Sequence, residues 1–409
     1  MAQTASPQLL SGHFDRFLAC GAERVTELVD AVLEVARNAN ASDVHLQPGK
    51  AGLSLRYRID GLLHEAASFD TEIAPNIVAR LKVLARLLTY HTDVPQEGRI
   101  PTRDGVEMRL STFPTLYGEK AVIRLFPSET RFRTVAELGF PAEVETELQR
   151  LLGENSGAIL VCGPAGSGKT TTVYACLREL AAAAENGPRS LVSLEDPIET
   201  AVDGVSQSQV SPERGFTMAE GLRFLMRQDP EVILVGEIRD QETAQTAFCA
   251  SLTGHLILTT FHAGSAAEAV SRLSDMGVEP YMLRSGVLAI LAQRLVRRLC
   301  DCATWTEDPA ELLGLPVGRA RLAAGCESCR GTGYQGRMVL VEMLTPRRTE
   351  VGRAILSRSD SATIEARAVQ AGMRTRFDRA MDALRSGTTS PREIRRVFGD
   401  AFAVGEEEA

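Results

Sequence analysis

Residues 157–170 read GAILVCGPAGSGKT: an apolar run, a glycine-rich turn, and then a lysine and a threonine. The run predicts a buried strand, and the residues from 168 onward predict a helix. The turn has the G-x-x-x-x-G-K-[ST] spacing of a P-loop and lies in the strand–turn–helix context that this motif requires. We therefore predict a phosphate-binding loop; the alternative is an ordinary glycine-rich turn.

The predicted loop carries the groups that bind a nucleoside triphosphate. Its backbone N–H groups and the helix N-terminus offer positive charge to phosphate oxygens. Lys169 is expected to reach the β- and γ-phosphates of ATP, and Thr170 to hold Mg²⁺. The predicted nucleotide-binding residues are Gly163, Pro164, Ala165, Gly166, Ser167, Gly168, Lys169, Thr170 and Thr171.

Apolar strands alternate with helical segments around this motif, which predicts a parallel sheet covered by helices on both faces. The predicted strands are 157–162, SLVSLED, VILVGE and HLILTTF, and the predicted helices start at 168 and cover 217–228, 240–252 and 265–275. Residues 346–397 return to helical periodicity. We predict an α/β domain over 141–405, with a cysteine-bearing element over 300–337.

The preceding chain has the patterns of a smaller α+β domain, predicted over 23–128. Apolar spacing predicts helices over 23–38 and 77–88. Strict alternation over 53–59, followed by Asp60-Gly61, predicts a β-hairpin. A second β pair is predicted in VEMRLSTFP and KAVIRLF. The remaining segments are a short extension over 1–22, a polar linker over 129–140 and an acidic tail, GEEEA.

Composition narrows the class of protein. The chain has 409 residues, 44% of them hydrophobic, which suffices for two to three domains with a sizeable core. Its net charge of −8 argues against a nucleic-acid binder, which usually carries a basic excess. Without a signal peptide pattern or an apolar run near the ~20 residues of a membrane span, we expect a cytoplasmic protein whose cysteines form no disulfide framework.

Two predicted strands end in carboxylates. VILVGEIRD (232–240) delivers Glu237, and SLVSLEDPIE (190–199) delivers Glu195. Ligands of open α/β sheets bind outside the carboxyl ends of the strands, and hydrolysis of a phosphoanhydride needs a group that orients or deprotonates water. Both glutamates are candidates; the alternative is that both are solvated loop acids. Gly236 is expected to let Glu237 turn toward the γ-phosphate, whereas Arg239 and Asp240 receive no role.

Histidines bound the strand in TGHLILTTFH. His255 and His262 are seven residues apart, roughly 23 Å along a strand and on opposite faces, so they are not ligands of one metal. His262 is expected either to sense the γ-phosphate or to be a hydrogen-bonded structural residue. Arginines of the small domain either complete the site from another domain or subunit, or are solvated charges; they are Arg99, Arg109 and Arg124.

Four cysteines form the pattern C-x-C…C-x₂-C, with 23 residues between the pairs; they are Cys300, Cys302, Cys326 and Cys329. Four thiolates suit tetrahedral Zn²⁺ in a structural site, although the first knuckle must be tighter than usual. Reduced structural thiols are the alternative. Cys162, Cys176 and Cys249 are predicted to be core residues, and Cys20 is uninformative.

These segments together resemble one family, the ATPases of type II secretion and type IV pilus assembly, over residues 23–398 or so. ASDVHLQP and LRYRIDGLLHE are similar to the second N-terminal domain of the family, and QEGRI to its Gln-Asp-Gly-Arg segment, with Glu97 in place of aspartate. SLEDPIE resembles the aspartate box, RQDPEVILVGEIRD the Walker B box, TGHLILTTFH the histidine box, and LCDC…GCESCRGTGYQGR the tetracysteine zinc element.

The resemblance implies a RecA-like ATPase domain with a PAS-like N-terminal domain, in a cytoplasmic and usually hexameric motor at the inner-membrane face. ATP-driven domain movement would turn an inner-membrane platform that assembles pilin-like subunits. ATP, Mg²⁺ and structural Zn²⁺ would be the cofactors. The implied roles are catalysis for Glu237, assistance at water and Mg²⁺ for Glu195, phosphate monitoring for His255 and His262, and γ-phosphate contact for Arg99 and Arg109, with Arg124 less closely matched.

Two other functions are consistent with a P-loop. An ATP-driven translocase of nucleic acid or conjugative cargo is disfavoured by the acidic pI near 5.5 and by the tetracysteine element. A non-catalytic ring that binds nucleotide without turnover is disfavoured because Lys169, Thr170 and Glu237 are all present. About 22 residues precede the second N-terminal domain, where many members of the family carry a further domain that docks on a membrane partner.

Overall fold

The structure is a computed structural model that describes Phe14, Phe17 and residues 22–101, 108–125, 132, 134–183, 189–347 and 349–399. The chain divides into two compact units. The first comprises 1–131, 297–304 and 322–336, and the second comprises 132–296, 305–321 and 337–409. The cysteine-bearing segments, which the sequence placed with the P-loop domain, therefore group with the first unit. Most of the extension over 1–22, Cys20, part of the linker and the acidic tail lie outside the described residues.

The first unit is built on a six-stranded antiparallel sheet in the order β3-β2-β1-β6-β5-β4. Its strands are β1 (Asp43–Gly49), β2 (Gly52–Ile59), β3 (Leu62–Phe69), β4 (Gln96–Ile100), β5 (Met108–Thr115) and β6 (Gly118–Leu125), and its helices are α1 (Val25–Asn38) and α2 (Ala74–Leu84). The predicted hairpin is present, and Asp60 and Gly61 both adopt the positive φ of a tight turn.

One helix of this unit differs from its prediction. The sequence placed it over 77–88, whereas α2 begins at Ala74 and ends at Leu84. The chain leaves the helix because Arg86 adopts a left-handed conformation with φ 58°. Both helices pack on the apolar face of the sheet, where Leu28, Leu46 and Ile77 belong to one buried cluster.

The second unit carries a seven-stranded sheet in the order β15-β12-β7-β11-β10-β8-β9, parallel from β12 to β9. Its strands are β7 (Gly157–Cys162), β8 (Leu191–Glu195), β9 (Val205–Gln209), β10 (Val232–Val235) and β11 (Leu256–Phe261), with β12 (Val287–Leu299) and β15 (Tyr334–Leu344) extending to segments of the first unit; the short β13 (Thr304–Thr306) and β14 (Ala320–Leu322) pair with each other.

Helices cover both faces of this sheet. They are α3 (Ala142–Leu152), α4 (Lys169–Ala182), α5 (Met218–Leu225), α6 (Gln241–Leu252), α7 (Ala266–Asp275), α8 (Pro280–Gly286), α9 (Pro309–Leu312), α10 (Thr349–Leu356), α11 (Ser361–Gln370), α12 (Arg376–Arg385) and α13 (Pro391–Phe398). Alternate residues of one strand enter two buried clusters, with Leu160 in one and Ile159 in the other. The predicted α/β architecture is therefore confirmed. Within the described ranges, no helix is long and apolar enough to cross a bilayer.

Candidate nucleotide-binding site

The P-loop lies between β7 and α4, as the sequence predicts. Gly168 precedes the helix in a left-handed conformation with φ 92°, which a residue with a side chain adopts only with strain. A Cβ atom on Gly163 would lie 2.6 Å from the carbonyl oxygen of Gln293 on β12. These glycines therefore allow the chain to turn tightly beside β12 and start α4 with its N-terminus toward the loop.

Lys169 is buried and folded over this loop. Its Nζ atom donates hydrogen bonds to the carbonyl oxygens of Gly163 (3.0 Å) and Pro164 (3.1 Å). Burial lowers the pKa of the ammonium, while the carboxylates of Glu237 and Glu199 oppose that shift. The lysine therefore has backbone partners that phosphate oxygens would replace, and two acidic groups lie within electrostatic range of it.

Glu237 follows β10 at the carboxyl edge of the sheet, with a side chain only 16% exposed. Its Oε1 atom lies 2.7 Å from Nε2 of His262, and its Oε2 atom accepts a hydrogen bond of 2.5 Å from Nε of Arg239. Arg239 also reaches Asp196, with Nη1 3.0 Å from Oδ2. Side-chain contacts therefore connect the residues that follow β8, β10 and β11. Arg239, which received no role from the sequence, binds both Glu237 and Asp196.

The structure gives Gly236 and Asp240 roles that differ from those expected from the sequence. Gly236 does not adopt a left-handed φ; a Cβ atom there would lie 3.2 Å from the Cα of Glu195, so the glycine serves close strand packing. Asp240 is the N-cap of α6, where its carboxylate accepts hydrogen bonds from the backbone N–H (2.8 Å) and the hydroxyl (2.9 Å) of Thr243. Its role is to start the helix.

Glu195 lies in the interior, only 3% exposed. Its carboxylate accepts hydrogen bonds from the hydroxyls of Ser193 (2.5 Å) and Tyr174 and from the amide of Gln207 (3.1 Å). Both of its oxygens are therefore occupied by neutral donors. The assisting role predicted for Glu195 stays a prediction, and these contacts disfavour it.

Glu199, rather than Glu195, is the glutamate that contacts Thr170 of the P-loop. The hydroxyl of Thr170 donates to its Oε1 atom at 3.4 Å. Its backbone N–H donates to Tyr174 at 3.2 Å, so the same tyrosine holds both glutamates. Glu199 was visible in the SLEDPIE stretch, but the sequence offered no reason to prefer it over the glutamate at the strand end.

The two histidines occupy opposite edges of the sheet. His262 follows β11 beside Glu237, whereas His255 precedes β11, with its carbonyl accepting from the N–H of Gly157 at the start of β7. The Nδ1 atom of His255 lies 3.1 Å from the carbonyl oxygen of Ala250 on α6. Within one chain, His255 is therefore remote from the P-loop, and the phosphate-monitoring role implied for it has no geometric support.

The candidate arginines lie in the first unit. Arg99 on β4 is directly opposite Arg109 on β5, and Arg109 is directly opposite Arg124 on β6. Side chains of residues directly opposite in an antiparallel pair emerge on the same face of a sheet. The structure therefore brings these three arginines together on one face.

The four predicted metal ligands converge within the first unit. Their Sγ atoms lie within 4.8 Å of one another, with separations of 3.8 Å for Cys300–Cys326, 3.9 Å for Cys302–Cys329 and 3.7 Å for Cys326–Cys329. A tetrahedron with Zn–S bonds of about 2.3 Å has edges of about 3.8 Å, so the donor set fits Zn²⁺. The short C-x-C knuckle does not prevent convergence.

Backbone groups prepare one of these thiols for metal binding. The Sγ atom of Cys329 accepts hydrogen bonds from the backbone N–H of Cys326 (3.1 Å) and of Gly333 (3.2 Å). Burial raises the pKa of this thiol, but the N–H donors together with hydrogen bonds from the Cys326 and Cys302 thiols outweigh burial and lower the pKa to about 7. Of the other cysteines, Cys162 and Cys176 are buried as predicted, whereas Cys249 is exposed and its assignment to the core is wrong.

A P-loop on a parallel sheet, with a carboxylate at the ends of the neighbouring strands, defines a P-loop nucleotide-binding protein of the α/β class. More particularly, the chain belongs to the family of type II/IV secretion system proteins, whose family model matches residues 19–396. The family resemblance found in the sequence is thereby confirmed.

Two relatives support this family assignment. The chain is 41% identical over 398 residues to the putative type II secretion system protein E of Escherichia coli K12, covering 94% of this chain and 78% of that protein. It is 40% identical over 383 residues to the type II secretion system ATPase E of Vibrio cholerae, covering 91% of this chain and 75% of the relative.

Solved structures share the fold. The ATPase DotB of Legionella pneumophila superposes with a TM-score of 0.65 at 21% identity, covering 90% of this chain and 95% of that chain. The pilus retraction motor PilT with bound ADP superposes with a TM-score of 0.57 at 23% identity, covering 90% and 98%. At this identity the similarity supports the architecture alone.

Proposed function

We propose that this chain is an ATP-hydrolysing motor that powers type II secretion or type IV pilus assembly. The observation that carries the proposal is the convergence of Lys169 and Thr170 of the P-loop with Glu237 and Glu199 at one edge of a parallel sheet. The close relatives named for type II secretion, one of them as an ATPase, support the same conclusion.

Each site residue has a distinct role in this proposal. The P-loop residues 163–171 hold the phosphates, with Lys169 neutralising the β- and γ-phosphates. Glu237 orients and deprotonates the attacking water, and His262, in contact with Glu237, orients that carboxylate. Arg99 and Arg109 supply positive charge to the transferring phosphate.

Two metals complete the proposed chemistry. Mg²⁺ would be held by Thr170, whose hydroxyl contacts Glu199, and would supply positive charge that neutralises the phosphates. Zn²⁺ would be held by the four cysteine thiolates, where it supplies structural stability and no catalytic position. The donor geometry supports both assignments.

The proposed motor works as an assembly. We infer a homohexamer that acts on platform and assembly proteins at the cytoplasmic face of the inner membrane, without nucleic acid. In this proposal residues 23–128 form the N-terminal domain and 141–405 the ATPase domain, joined by a linker over 129–140. ATP-driven movement between the domains would transmit force to the platform.

The test is phosphate release from ATP and Mg²⁺ by purified full-length protein, with Lys169→Ala as the inactive reference. We expect slow hydrolysis that rises when the protein assembles, and no hydrolysis by the variant. ATP binding without turnover under every assembly condition would favour a non-catalytic ring. Stimulation by DNA, measured in the same assay, would instead indicate a nucleic-acid translocase.

A further inference from the structure

The segment over residues 196–204, which we call the Glu199 loop, connects β8 to β9 within the second unit. Glu199 itself is exposed, and its Oε1 atom accepts a hydrogen bond of 3.4 Å from the hydroxyl of Thr170. Ordering an exposed side chain and a mobile loop when a ligand binds costs conformational entropy. The contacts that fix the backbone of the Glu199 loop therefore decide how precisely this carboxylate is placed beside the P-loop.

Tyr174 holds the loop from the side of α4. It lies one helical turn after Thr170, so both side chains emerge on the same face of the helix. The phenol oxygen of Tyr174 accepts a hydrogen bond of 3.2 Å from the backbone N–H of Glu199. One face of α4 thus contacts Glu199 twice, with a threonine at its carboxylate and a tyrosine at its backbone.

The hydroxyl proton of Tyr174 has a different partner. It is donated to the Oε2 atom of Glu195, a carboxylate that is only 3% exposed. Burial, and then the hydrogen bond with Glu195, raise the pKa of the phenol, so the hydroxyl keeps its proton at neutral pH. Glu195 therefore fixes the direction of the hydroxyl and leaves the phenol oxygen to accept from the loop.

Gln207 on β9 holds the same loop from the other side. Its Nε2 atom donates to the carbonyl oxygen of Thr200 at 3.1 Å, and its Oε1 atom accepts from the backbone N–H of Val202 at 2.7 Å. The Nε2 atom also donates to the Oε1 atom of Glu195 at 3.1 Å. Three backbone groups of the loop are thus held by two side chains that both bind Glu195.

Stability alone is a poor explanation for this network. Burying a carboxylate and a hydroxyl is unfavourable unless their hydrogen bonds are made, and apolar side chains of similar volume often serve a core equally well. Tyr174 is only 4% exposed, and its ring would pack equally well as that of phenylalanine. What the hydroxyl adds is the contact with the backbone of Glu199, which a phenylalanine lacks.

We propose that Tyr174 is a positioning residue for Mg²⁺ binding and ATP hydrolysis, whose hydroxyl places Glu199 beside Thr170. The inference rests on the proposed function. It assigns Tyr174 no contact with the nucleotide or the metal, because the residue acts only through the glutamate that it positions.

The experiment uses Tyr174→Phe in the full-length protein, which removes the hydroxyl and keeps the ring. We expect the affinity for the Mg²⁺ complex of a non-hydrolysable ATP analogue to fall about tenfold, and the affinity for the analogue in EDTA to stay at the wild-type value. The kcat for phosphate release should fall about tenfold as well. Unchanged affinity for the Mg²⁺ complex, or an equal loss of affinity in EDTA, would overturn the proposal.

A double-mutant cycle with Glu199→Gln identifies the residue through which the hydroxyl acts. If Tyr174 acts through Glu199, the double variant should bind the Mg²⁺ complex as weakly as Glu199→Gln alone and should have the same kcat. Losses that multiply in the double variant would show that the hydroxyl acts by another route and would refute the proposal.

Two further variants separate positioning from folding. Tyr57→Phe makes the same chemical change in the first unit, where a fully buried hydroxyl donates to the carbonyl oxygen of Val32 at 3.1 Å. It should lower the midpoint of urea unfolding without changing the affinity for the Mg²⁺ complex. A change of that affinity in Tyr57→Phe as large as in Tyr174→Phe would count against a specific role for Tyr174.

The second variant adds Glu195→Gln to Tyr174→Phe. Tyr174→Phe leaves the buried carboxylate of Glu195 without one donor, and the neutral amide removes that uncompensated charge. The double variant should therefore regain part of the lost stability and still bind the Mg²⁺ complex weakly, because the contact with Glu199 remains absent. Recovery of Mg²⁺-dependent affinity together with stability would show a purely structural role and would overturn the proposal.

The outcomes also distinguish this inference from the proposed function. If wild type hydrolyses ATP, Lys169→Ala does not, and Tyr174→Phe keeps full activity and affinity, only the positioning role is refuted. If wild type shows no hydrolysis in any assembly state, the proposed function itself fails.

Discussion

The Nε2 atom of His262 lies 2.7 Å from the Oε1 atom of Glu237, although the two residues follow different strands. Arg239 occupies the other oxygen of the same carboxylate. Each carboxylate oxygen offers about two acceptor sites, so these two partners orient Glu237 and still leave acceptor sites for a water molecule. This arrangement is consistent with the proposed role of Glu237 as the base, held in place by His262 and Arg239.

Glu237→Gln should abolish ATP turnover and preserve ATP binding. The amide has the shape of the carboxylate but cannot accept a proton, so the loss should reach about 10²–10⁴-fold. Turnover would be measured as phosphate release, and binding with a non-hydrolysable ATP analogue. Turnover at the wild-type rate would refute the assignment of Glu237 as the base, and lost binding would point to a structural role.

Separate substitutions of Glu199 and Glu195 distinguish a catalytic role from a structural one. Glu199→Gln should slow hydrolysis and raise the Mg²⁺ concentration needed, because Glu199 contacts the hydroxyl of Thr170. Glu195→Gln should lower the free energy of unfolding by about 1–3 kcal/mol, because it disturbs a buried carboxylate with three hydrogen bonds. Activity assays and urea unfolding of both variants give the comparison; the opposite pattern would restore the catalytic role of Glu195.

The choice between these glutamates shows where sequence reasoning stops. Apolar runs located β7, β8, β10 and β11 correctly, because burial on both faces leaves a local signature. The burial of Glu195 depends on β9, which was not predicted: its Gln207 binds the carboxylate from a polar edge strand without an apolar run. The residues of SLVSLED give no indication that Gln207 will lie beside Glu195.

The arginines of the first unit are a second feature that could be predicted only in part from the sequence. The arginines were identified one by one, yet their alignment depends on the register of three separate strands, β4, β5 and β6. Register follows from which face of each strand is buried and from the turns that join the strands. The cysteine cluster was easier to predict, because the spacing of its ligands is itself the signal.

Purified protein should contain roughly one zinc per chain, and Cys326→Ser should lose it. The four Sγ atoms already lie within 4.8 Å of one another, and removing one ligand would leave three of the four donors that a structural Zn²⁺ site needs. Zinc would be measured by elemental analysis, with Cys249→Ser as the control because this exposed cysteine lies outside the cluster. Wild-type protein without zinc would indicate reduced structural thiols.

Glu365→Gln should stabilise the protein at neutral pH. Burial raises the pKa of Glu365 in the fold, and the nearby carboxylate of Glu342 raises it further. A carboxyl with a raised folded-state pKa destabilises the fold when ionised, so the penalty is present at neutral pH and disappears as pH falls below the ordinary value of 4.5.

The expected gain for Glu365→Gln is below about 1 kcal/mol, since the site is only partly buried. Thermal unfolding at pH 7 and pH 4 would measure it, with exposed Glu213→Gln as the matched control. A gain that persists at pH 4 would show that the effect does not come from ionisation.

Lys82→Met should destabilise the first unit by about 3–5 kcal/mol. The Lys82 ammonium is fully buried, forms an ion pair with Glu119, and donates a hydrogen bond of 2.7 Å to the carbonyl oxygen of His91. Methionine fills a similar volume, but it leaves the nearly buried carboxylate of Glu119 without its counter-ion.

The stability of the double variant identifies the cause. Adding Glu119→Gln to Lys82→Met removes the uncompensated charge, so much of the lost stability should return, and urea unfolding would measure both variants. If the double variant were as unstable as Lys82→Met alone, the cost would lie in the lost contact with His91 and not in the stranded carboxylate. Lys82 on α2 pairs with Glu119 in the hairpin of β5 and β6 and binds His91 in the loop after α2, so the two results distinguish which of these contacts carries the stability.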